Sequence, residues 1–139
     1  MIAAMHSTIR FRQLLVACAA AVLLTACMPS SDAITNRPWK LVELNGSMSV
    51  VEAGVDFGVD GRYSVQPGCN SGGGTYAING NRITTATPTL TAMSCGNPAD
   101  AQEQAFLAAL NAGPRFEIET QTGRLRLVTD AVTLVFVTP

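Results

Sequence analysis

The side chains most able to do chemistry in this chain of 139 residues are its four cysteines, since it has only one histidine. They are Cys18, Cys27, Cys69 and Cys95, whereas the histidine, His6, lies close to the first residue. A thiol can act as a nucleophile, as a metal ligand, as a disulfide partner or as the attachment point of a lipid. The surroundings of each cysteine in the sequence decide which of these chemistries applies.

Cys27 ends the sequence Leu-Thr-Ala-Cys, which has the residue order of a bacterial lipobox. An uncharged apolar segment over residues 14–26 precedes it, and Arg10 and Arg12 precede that segment, as in an export signal. The segment is shorter than the roughly 20 helical residues that cross a bilayer, so a transmembrane anchor is disfavoured. An ordinary secretory signal, in which Cys27 is only a small residue, is the alternative. We predict a signal peptide over residues 1–26 and lipidation of Cys27.

Residues 27–36 are predicted to form a lipidated, flexible tether, because they are mostly small and polar and include a proline. A lipidated Cys27 would carry about three acyl chains, and two chains already anchor stably. The usual signal for retention in the inner membrane is an aspartate after the lipidated cysteine, but this chain has Met28. In an envelope with two membranes, the expected location is therefore the periplasmic leaflet of the outer membrane.

The remaining residues, 37–139, are expected to form one domain, since this length suits a single core. All ten acidic residues but only seven of the nine basic residues follow Cys27, so the processed chain has a net charge of 7 − 10 = −3. A nucleic-acid-binding domain needs a basic face to meet the phosphates. The charge therefore argues against a nucleic-acid partner.

The residues after the signal offer little for catalysis. Without His6, no Ser/His or Cys/His nucleophile pair can form. The acidic residues are scattered singly, which favours a solvated surface over a glycosidase-like carboxylate pair. The run Gly72-Gly73-Gly74 lacks the strand and helix of a phosphate loop and predicts a flexible or bulged turn. We therefore predict no catalytic residue, no cofactor and no metal site.

Cys69 and Cys95 are the two cysteines that remain unmodified in an exported chain. Disulfides form and persist outside the cytoplasm, so these two cysteines are expected to pair. A metal pair or a reactive thiol is the alternative, but the sequence has no CxxC motif or Cys/His cluster to support either. Closing this loop would stabilise the domain by roughly 3.5 kcal/mol on the chain-entropy model.

Short runs of alternating apolar and polar residues, separated by turn signals, predict antiparallel hairpins. One strand holds Trp39 and Leu41, and the next is expected to contain Val55, Phe57 and Val59. The predicted turns are Asn45-Gly46, Asp60-Gly61, Asn79-Gly80-Asn81, Thr122-Gly123 and Asp130-Ala131.

The last two turns also predict how the C-terminal strands pair. A two-residue loop at Thr122-Gly123 would place Glu119 opposite Arg126 and Ile118 opposite Leu127. The turn at Asp130-Ala131 would place Leu127 opposite Leu134 and Leu125 opposite Phe136.

A single helix is expected over residues 98–111. Asn97 can cap it, Pro98 suits its first position, and Phe106 and Leu110 form an apolar pair one turn apart. Gly113-Pro114 ends it. Seven or more short strands with one helix predict a mainly β (α+β) fold, either a small antiparallel β-barrel or a strongly curled sheet, with a filled interior.

Several of these residues together resemble the META domain family, which includes the heat-inducible lipoprotein HslJ. The resemblance covers about residues 36–137 and lies in Asp60-Gly61-Arg62, Gly68-Cys69-Asn70, Gly74-Thr75-Tyr76, Asn81-Arg82-Ile83, Met93-Ser94-Cys95, Glu103 and Phe106-Leu107. Two departures are Val65 followed by Gln66-Pro67, where the family usually has a glycine, and the triple glycine.

The resemblance implies a barrel-like α+β domain, often lipid-anchored and linked in some members to stress tolerance and virulence. It implies no catalytic residue and no cofactor. Cys69 and Cys95 match the family's cysteine pair. We interpret Asn70 as a turn-forming side chain that bonds nearby backbone.

We therefore expect a non-enzymatic envelope lipoprotein that supports stress tolerance by binding envelope components. Its expected partners are the membrane, through the lipid anchor, and an envelope protein, and a monomer is expected. One alternative is an inhibitor of an envelope-attacking hydrolase such as lysozyme, which requires an exposed, ordered loop whose acidic or serine side chain occupies a basic catalytic cleft. Another is a lipocalin-like carrier, which requires an apolar cavity of at least about 300 Å³.

Overall fold

The computed structural model describes residues 30–139. The predicted signal peptide, the lipidation of Cys27 and the first part of the tether lie outside these residues. Within them, no helix is both long and apolar enough to cross a membrane. The elements are a 3-10 turn, Ser31–Ala33, ten strands and one α-helix. They are β1 Pro38–Leu44, β2 Ser47–Met48, β3 Gly54–Phe57, β4 Arg62–Gln66, β5 Gly72–Asn79, β6 Arg82–Thr85, β7 Thr89–Leu90, α1 Ala99–Asn111, β8 Arg115–Ile118, β9 Leu125–Val128 and β10 Thr133–Val137.

Eight of the strands form a closed antiparallel barrel. Their order is β1, β3, β4, β5, β6, β8, β9 and β10, and β10 pairs with β1 to close the ring. In that last pair Leu41 lies opposite Phe136 and Leu44 opposite Leu134. The short strands β2 and β7 pair with β1 and β5 outside this ring. The prediction of a small barrel with one helix is confirmed, and the sheet is closed rather than open.

Most predicted hairpins are present, although one strand is shorter than expected. Asn45 and Gly46 have φ of 50° and 78°, as a two-residue hairpin turn requires. The strand β3 ends at Phe57, and Val59 lies in the following turn with 80% of its surface exposed. The prediction that Val59 continues the strand is wrong, because the backbone N–H of Gly58 already bonds the carbonyl of Arg62.

The C-terminal strands pair in the expected order, but one register differs. Between β9 and β10, Leu127 lies opposite Leu134 and Leu125 opposite Phe136, which confirms that prediction. Between β8 and β9, Ile118 lies opposite Leu125 instead of Leu127. The loop is longer than two residues, since the N–H of Glu119 bonds the carbonyl of Arg124. The shift of two residues leaves every side chain on its predicted face.

The charged partner in this hairpin changes with the register. Arg126 lies opposite Glu117, and their side chains are 3.9 Å apart. The predicted partner, Glu119, lies in the loop and accepts a hydrogen bond from the hydroxyl of Thr122. The prediction of Glu119 opposite Arg126 is therefore wrong.

The three consecutive glycines form the start of β5, so the prediction of a turn is wrong. Gly72 and Gly73 pair with β4 on one side and with β7 on the other. A Cβ atom at Gly72 would collide with the carbonyl of Thr89, and one at Gly73 would collide with the carbonyl of Tyr63. The glycines are needed because neighbouring backbones approach too closely for a side chain.

Side chains fill the barrel, and a separate segment covers each end. Ile34 is fully buried at the end where β3 turns into β4, and its carbonyl accepts a hydrogen bond of 2.8 Å from the indole of Trp39. The prediction of a flexible tether is therefore wrong for residues 34–36, which pack against the barrel. The helix α1 lies at the other end, where Gly68 follows β4 and contacts the first turns of α1. Phe106 of α1 meets Phe136 edge to face at 5.7 Å. The burial of Phe106 and Leu110 confirms their predicted role.

We predict that Gly72→Ala destabilises the domain by about 2–4 kcal/mol, because the new methyl group would push β7 away from β5. Urea denaturation followed by circular dichroism measures the loss. Thr75→Ala, an exposed position in the same strand, is the matched control and should change stability by less than about 0.5 kcal/mol. Equal stability of Gly72→Ala and the parent would show that the backbones can separate without cost.

Candidate functional site

Two of the segments that resemble the META family meet beside the N-terminal half of α1. Gly68-Cys69-Asn70 follow β4, and Met93-Ser94-Cys95 precede the helix. A disulfide joins Cys69 to Cys95 with a Cα–Cα distance of 6.0 Å, as the sequence predicted. This covalent link holds the segment before the helix against the loop after β4.

Asn70 connects three segments through its buried side chain. Its Nδ2 donates to the carbonyl of Met93 at 2.9 Å and to Oε1 of Glu103 at 2.7 Å. Its Oδ1 accepts from the Thr91 hydroxyl and from the N–H of Met93, both at 2.8 Å. Oε2 of Glu103 also accepts from the backbone N–H of Asn70 at 2.9 Å.

The side chain of Asn70 has a structural role, but the interpretation that it forms a turn by bonding nearby backbone is wrong. Met93 lies 23 residues away in sequence and Glu103 lies 33 residues away. The side chain links the loop after β4, the segment before α1 and the helix itself.

Gln102 plays a similar part for a second loop, and the sequence did not predict it. Its Oε1 accepts from the N–H of Val50 at 2.7 Å and from the hydroxyl of Ser49 at 3.1 Å. Its Nε2 donates to the carbonyl of Val51 at 3.0 Å. The side-chain amide thus takes the place of a neighbouring strand's peptide group. The sequence signal that could have identified Gln102 is its position as a polar residue one turn before Phe106, on the buried face of the helix.

Asp100 organises the entry to the helix, a role that the sequence assigned to Asn97. Its carboxylate accepts from the Ser94 hydroxyl at 2.6 Å and from the N–H of Cys95 at 3.0 Å. These hydrogen bonds, that from Ser94 first, lower the pKa of Asp100 below its ordinary value. The helix begins after Pro98 without a side-chain cap, so the prediction that Asn97 caps it is wrong.

The two loops held by Gln102 and Asn70 are called here the distal loops, residues 48–51 and 91–96. Gln102 and Glu103 are consecutive in α1, so the two loops lie beside the same turn of the helix. The N-terminal segment meets the barrel at the opposite end of the β3–β4 hairpin, where the N–H of Asn36 bonds the carbonyl of Phe57. The distal loops therefore lie away from the end at which the N-terminal segment packs against the barrel.

The distal loops expose apolar side chains although their backbones are fixed. The exposed fractions of Met48, Val50 and Met93 are 83%, 55% and 60%. Large apolar residues exposed on an ordered surface are suited to contact with another molecule. Methionine side chains also adapt readily to a partner's shape.

The described residues contain few groups suited to acid–base or metal chemistry. Burial, as the main cause, raises the pKa of Tyr63 and Tyr76, so both stay protonated at neutral pH. Residues 30–139 include no group of three or more potential metal ligands. Every buried side-chain nitrogen or oxygen in this part of the chain has a hydrogen-bond partner. The polar groups of the motif therefore serve the structure instead of facing a substrate.

A depression of about 660 Å³ lies on the outside of the barrel. It runs over Gly54, with Lys40 and Glu52 on one side and Gln66 on the other. Inside the barrel, the space that a lipocalin-like carrier would need is occupied by fully buried side chains, among them Phe57 and Phe116.

Comparison with known proteins agrees with this architecture. The model of the META domain matches residues 32–139. No curated protein matches the sequence.

Three solved structures resemble the fold at low sequence identity. An NMR structure of a protein from Burkholderia xenovorans has a TM-score of 0.62 at 22% identity and covers 78% of this chain and 85% of that one. A second NMR structure of a protein has a TM-score of 0.67 at 20% identity, with 78% and 94% covered. The crystal structure of a DUF4847 family protein from Bacteroides vulgatus has a TM-score of 0.55 at 14% identity, with 76% and 94% covered.

We predict that Asn70→Ala lowers the free energy of unfolding by about 2–4 kcal/mol, because four side-chain hydrogen bonds are lost at a buried position. Asn111→Ala, at the exposed last residue of α1, is the matched control and should change the free energy of unfolding by less than about 0.5 kcal/mol. Chemical denaturation of both variants makes the comparison. Similar small losses in the two variants would mean that the disulfide alone holds the loops.

The lowered pKa of Asp100 predicts a change at acidic pH. The ionised carboxylate holds Ser94 and Cys95 at neutral pH, and this contribution is lost as pH falls below the ordinary value of 3.8 and through the lower folded value. An NMR titration of the Cys95 amide proton should show the transition in the parent and not in Asp100→Asn. Asp60→Asn, whose carboxylate bonds the N–H of Arg62 in a different turn, should leave the transition unchanged. The same transition in Asp100→Asn would contradict the assignment.

Proposed function

The chain belongs to the META domain family, and from this membership and its geometry we propose that it is a non-enzymatic bacterial envelope lipoprotein. In this proposal Cys27 carries the lipid, and the domain supports envelope stress tolerance by binding other envelope components. The observation that carries the proposal is the opposite placement of the tether and the distal loops. A domain anchored by its N-terminal end would present the distal loops to whatever lies beyond the membrane surface.

The construction of the distal loops supports a protein partner. Their backbones are fixed by Gln102, by Asn70 and by the disulfide, so little conformational entropy is lost when they bind. Their exposed side chains, Val50 and Met93, are apolar. Such a rigid apolar surface suits the core of a protein interface, which is poor in charged residues.

Inhibition of an envelope-attacking hydrolase such as lysozyme is a second candidate, and one observation favours it. The segment from residue 91 to residue 98 is exposed along its whole length and yet anchored, by the disulfide of Cys95 and by Asp100. The Ser94 hydroxyl is bonded to Asp100. This loop would therefore enter a cleft with Met93 first, because neither the Ser94 hydroxyl nor the Asp100 carboxylate is free.

We predict that Val50→Asp and Met93→Asp abolish the protection that the lipoprotein gives under envelope stress, because a charge at the centre of an apolar interface must be desolvated. Val59→Asp is the matched control, since Val59 is exposed in the turn at the opposite end of the β3–β4 hairpin. Survival of cells that carry each variant, after heat or detergent stress, gives the measurement. Thermal denaturation must show that all three variants fold.

Position-specific photo-crosslinkers at residues 50, 93 and 59 identify the bound component in intact envelopes. One shared adduct from positions 50 and 93 but not from 59 is expected. Protection by both Asp variants at residues 50 and 93, or an adduct from 59 alone, would overturn the role of the distal loops. Inhibition of purified lysozyme by the parent and not by Met93→Asp would favour the second candidate.

The anchor needs its own control. Labelling with a clickable fatty acid should mark the parent and not Cys27→Ser, and the unlabelled variant should lose protection although its domain folds. A label on both proteins would contradict lipidation at Cys27.

A further inference from the structure

Two arginines face each other where β6 meets β8. Arg82 and Arg115 are the register partners of these two strands, and both are exposed. They line a concavity of about 320 Å³ together with Gly113, at the end of α1, and residues 128–131 of the β9–β10 turn. The small residues Ala112 and Gly113 also contribute to its lining.

This arrangement costs stability, because like charges directly opposite each other on neighbouring strands repel. Among the described residues, no ion pair includes Arg82 or Arg115. Two arginines at the neighbouring strand β9 do form ion pairs. Arg124, just before the strand, pairs with Glu43 at 3.2 Å, and Arg126, within it, pairs with Glu117 at 3.9 Å. Arg82 and Arg115 differ from these two in facing another arginine across the sheet instead of a carboxylate.

One of the two guanidinium groups is already oriented. Nη1 of Arg82 donates to the carbonyl of Gly113 at 2.6 Å, which fixes the group at the rim of the concavity. Its other N–H groups have no partner among the hydrogen bonds of the described residues. Arg115 has none for its side chain at all. A planar guanidinium with free donors is the side chain that best matches a phosphate or carboxylate group.

We propose that Arg82 and Arg115 together bind a phosphate monoester or inorganic phosphate. Such a group carries nearly two negative charges at neutral pH and has three oxygens that accept hydrogen bonds, so it satisfies both guanidinium groups at once. The Thr129 hydroxyl does not take part, because it donates to the carbonyl of Val132. The exposed carboxylate of Asp130 lines the same concavity and weakens the binding of any anion there. The phosphate comes either from solution or from a lipid headgroup.

Calorimetric titration of the full chain, purified in an uncharged maltoside detergent, tests the site with inorganic phosphate. Arg115→Gln should weaken binding by about tenfold or more, and Arg82→Gln by a similar factor. Arg62→Gln is the matched control, since Arg62 is an exposed arginine that lies opposite Thr75. Phosphate binding that is absent in the parent, or equal in Arg115→Gln and the parent, would overturn the proposal.

Two further variants separate binding from stability. Arg115→Glu creates an opposite-charge pair with Arg82, so its thermal midpoint should match or exceed that of the parent while phosphate binding is lost. Asp130→Asn removes the competing carboxylate and should tighten phosphate binding. Loss of both stability and binding in Arg115→Glu, or weaker binding in Asp130→Asn, would count against the site.

Short-chain phosphatidic acid and short-chain phosphatidylcholine, both below their micellar concentrations, distinguish the sources. Tighter binding of phosphatidic acid than of inorganic phosphate, lost in Arg115→Gln, identifies a lipid headgroup. Equal binding of the two identifies phosphate from solution. Equal binding of phosphatidic acid and phosphatidylcholine would overturn the proposal, since the phosphodiester of phosphatidylcholine carries only one negative charge, which its own choline group balances.

Discussion

The pairing of β1 with β10 is the interaction on which the rest of the structure depends, because it turns a sheet with two free edges into a barrel. Leu41 and Phe136 face each other across this seam and are buried only when it is closed. A closed barrel no longer has edges along its sides, but it has two open ends. Ile34 covers one end and α1 the other, and so the positions of the N-terminal segment and of the helix follow from closure.

Sequence patterns predicted the parts of this fold that depend on neighbouring residues. The pairing of Leu127 with Leu134 could be predicted because a short turn fixes the register of both strands. The pairing of Ile118 could not, because the length of the loop after it depends on backbone hydrogen bonds that no residue type specifies. Gly72 and Gly73 look like turn residues in sequence, and only the close approach of β7 and of β4 explains them.

The candidate site, too, was predictable from the sequence only in part. The disulfide between Cys69 and Cys95 followed from the number of available cysteines and is confirmed. The partners of Gln102 and Asn70 lie about 20 to 50 residues away in sequence, which no local pattern encodes. The signal for both was a polar residue in a buried environment, and a buried polar group has to find partners. These side chains hold loops in place, so recognition falls to the residues that the loops expose.

The hydrogen bond between the indole of Trp39 and the carbonyl of Ile34 makes the N-terminal segment visible to spectroscopy. The chain contains one tryptophan, so its fluorescence comes from a single, buried environment. Departure of the segment around Ile34 from the barrel would break that bond and admit water to the ring, which shifts the emission to longer wavelengths. The protein therefore carries an intrinsic optical probe of whether its N-terminal segment is seated on the barrel, readable without a label while the barrel itself stays intact.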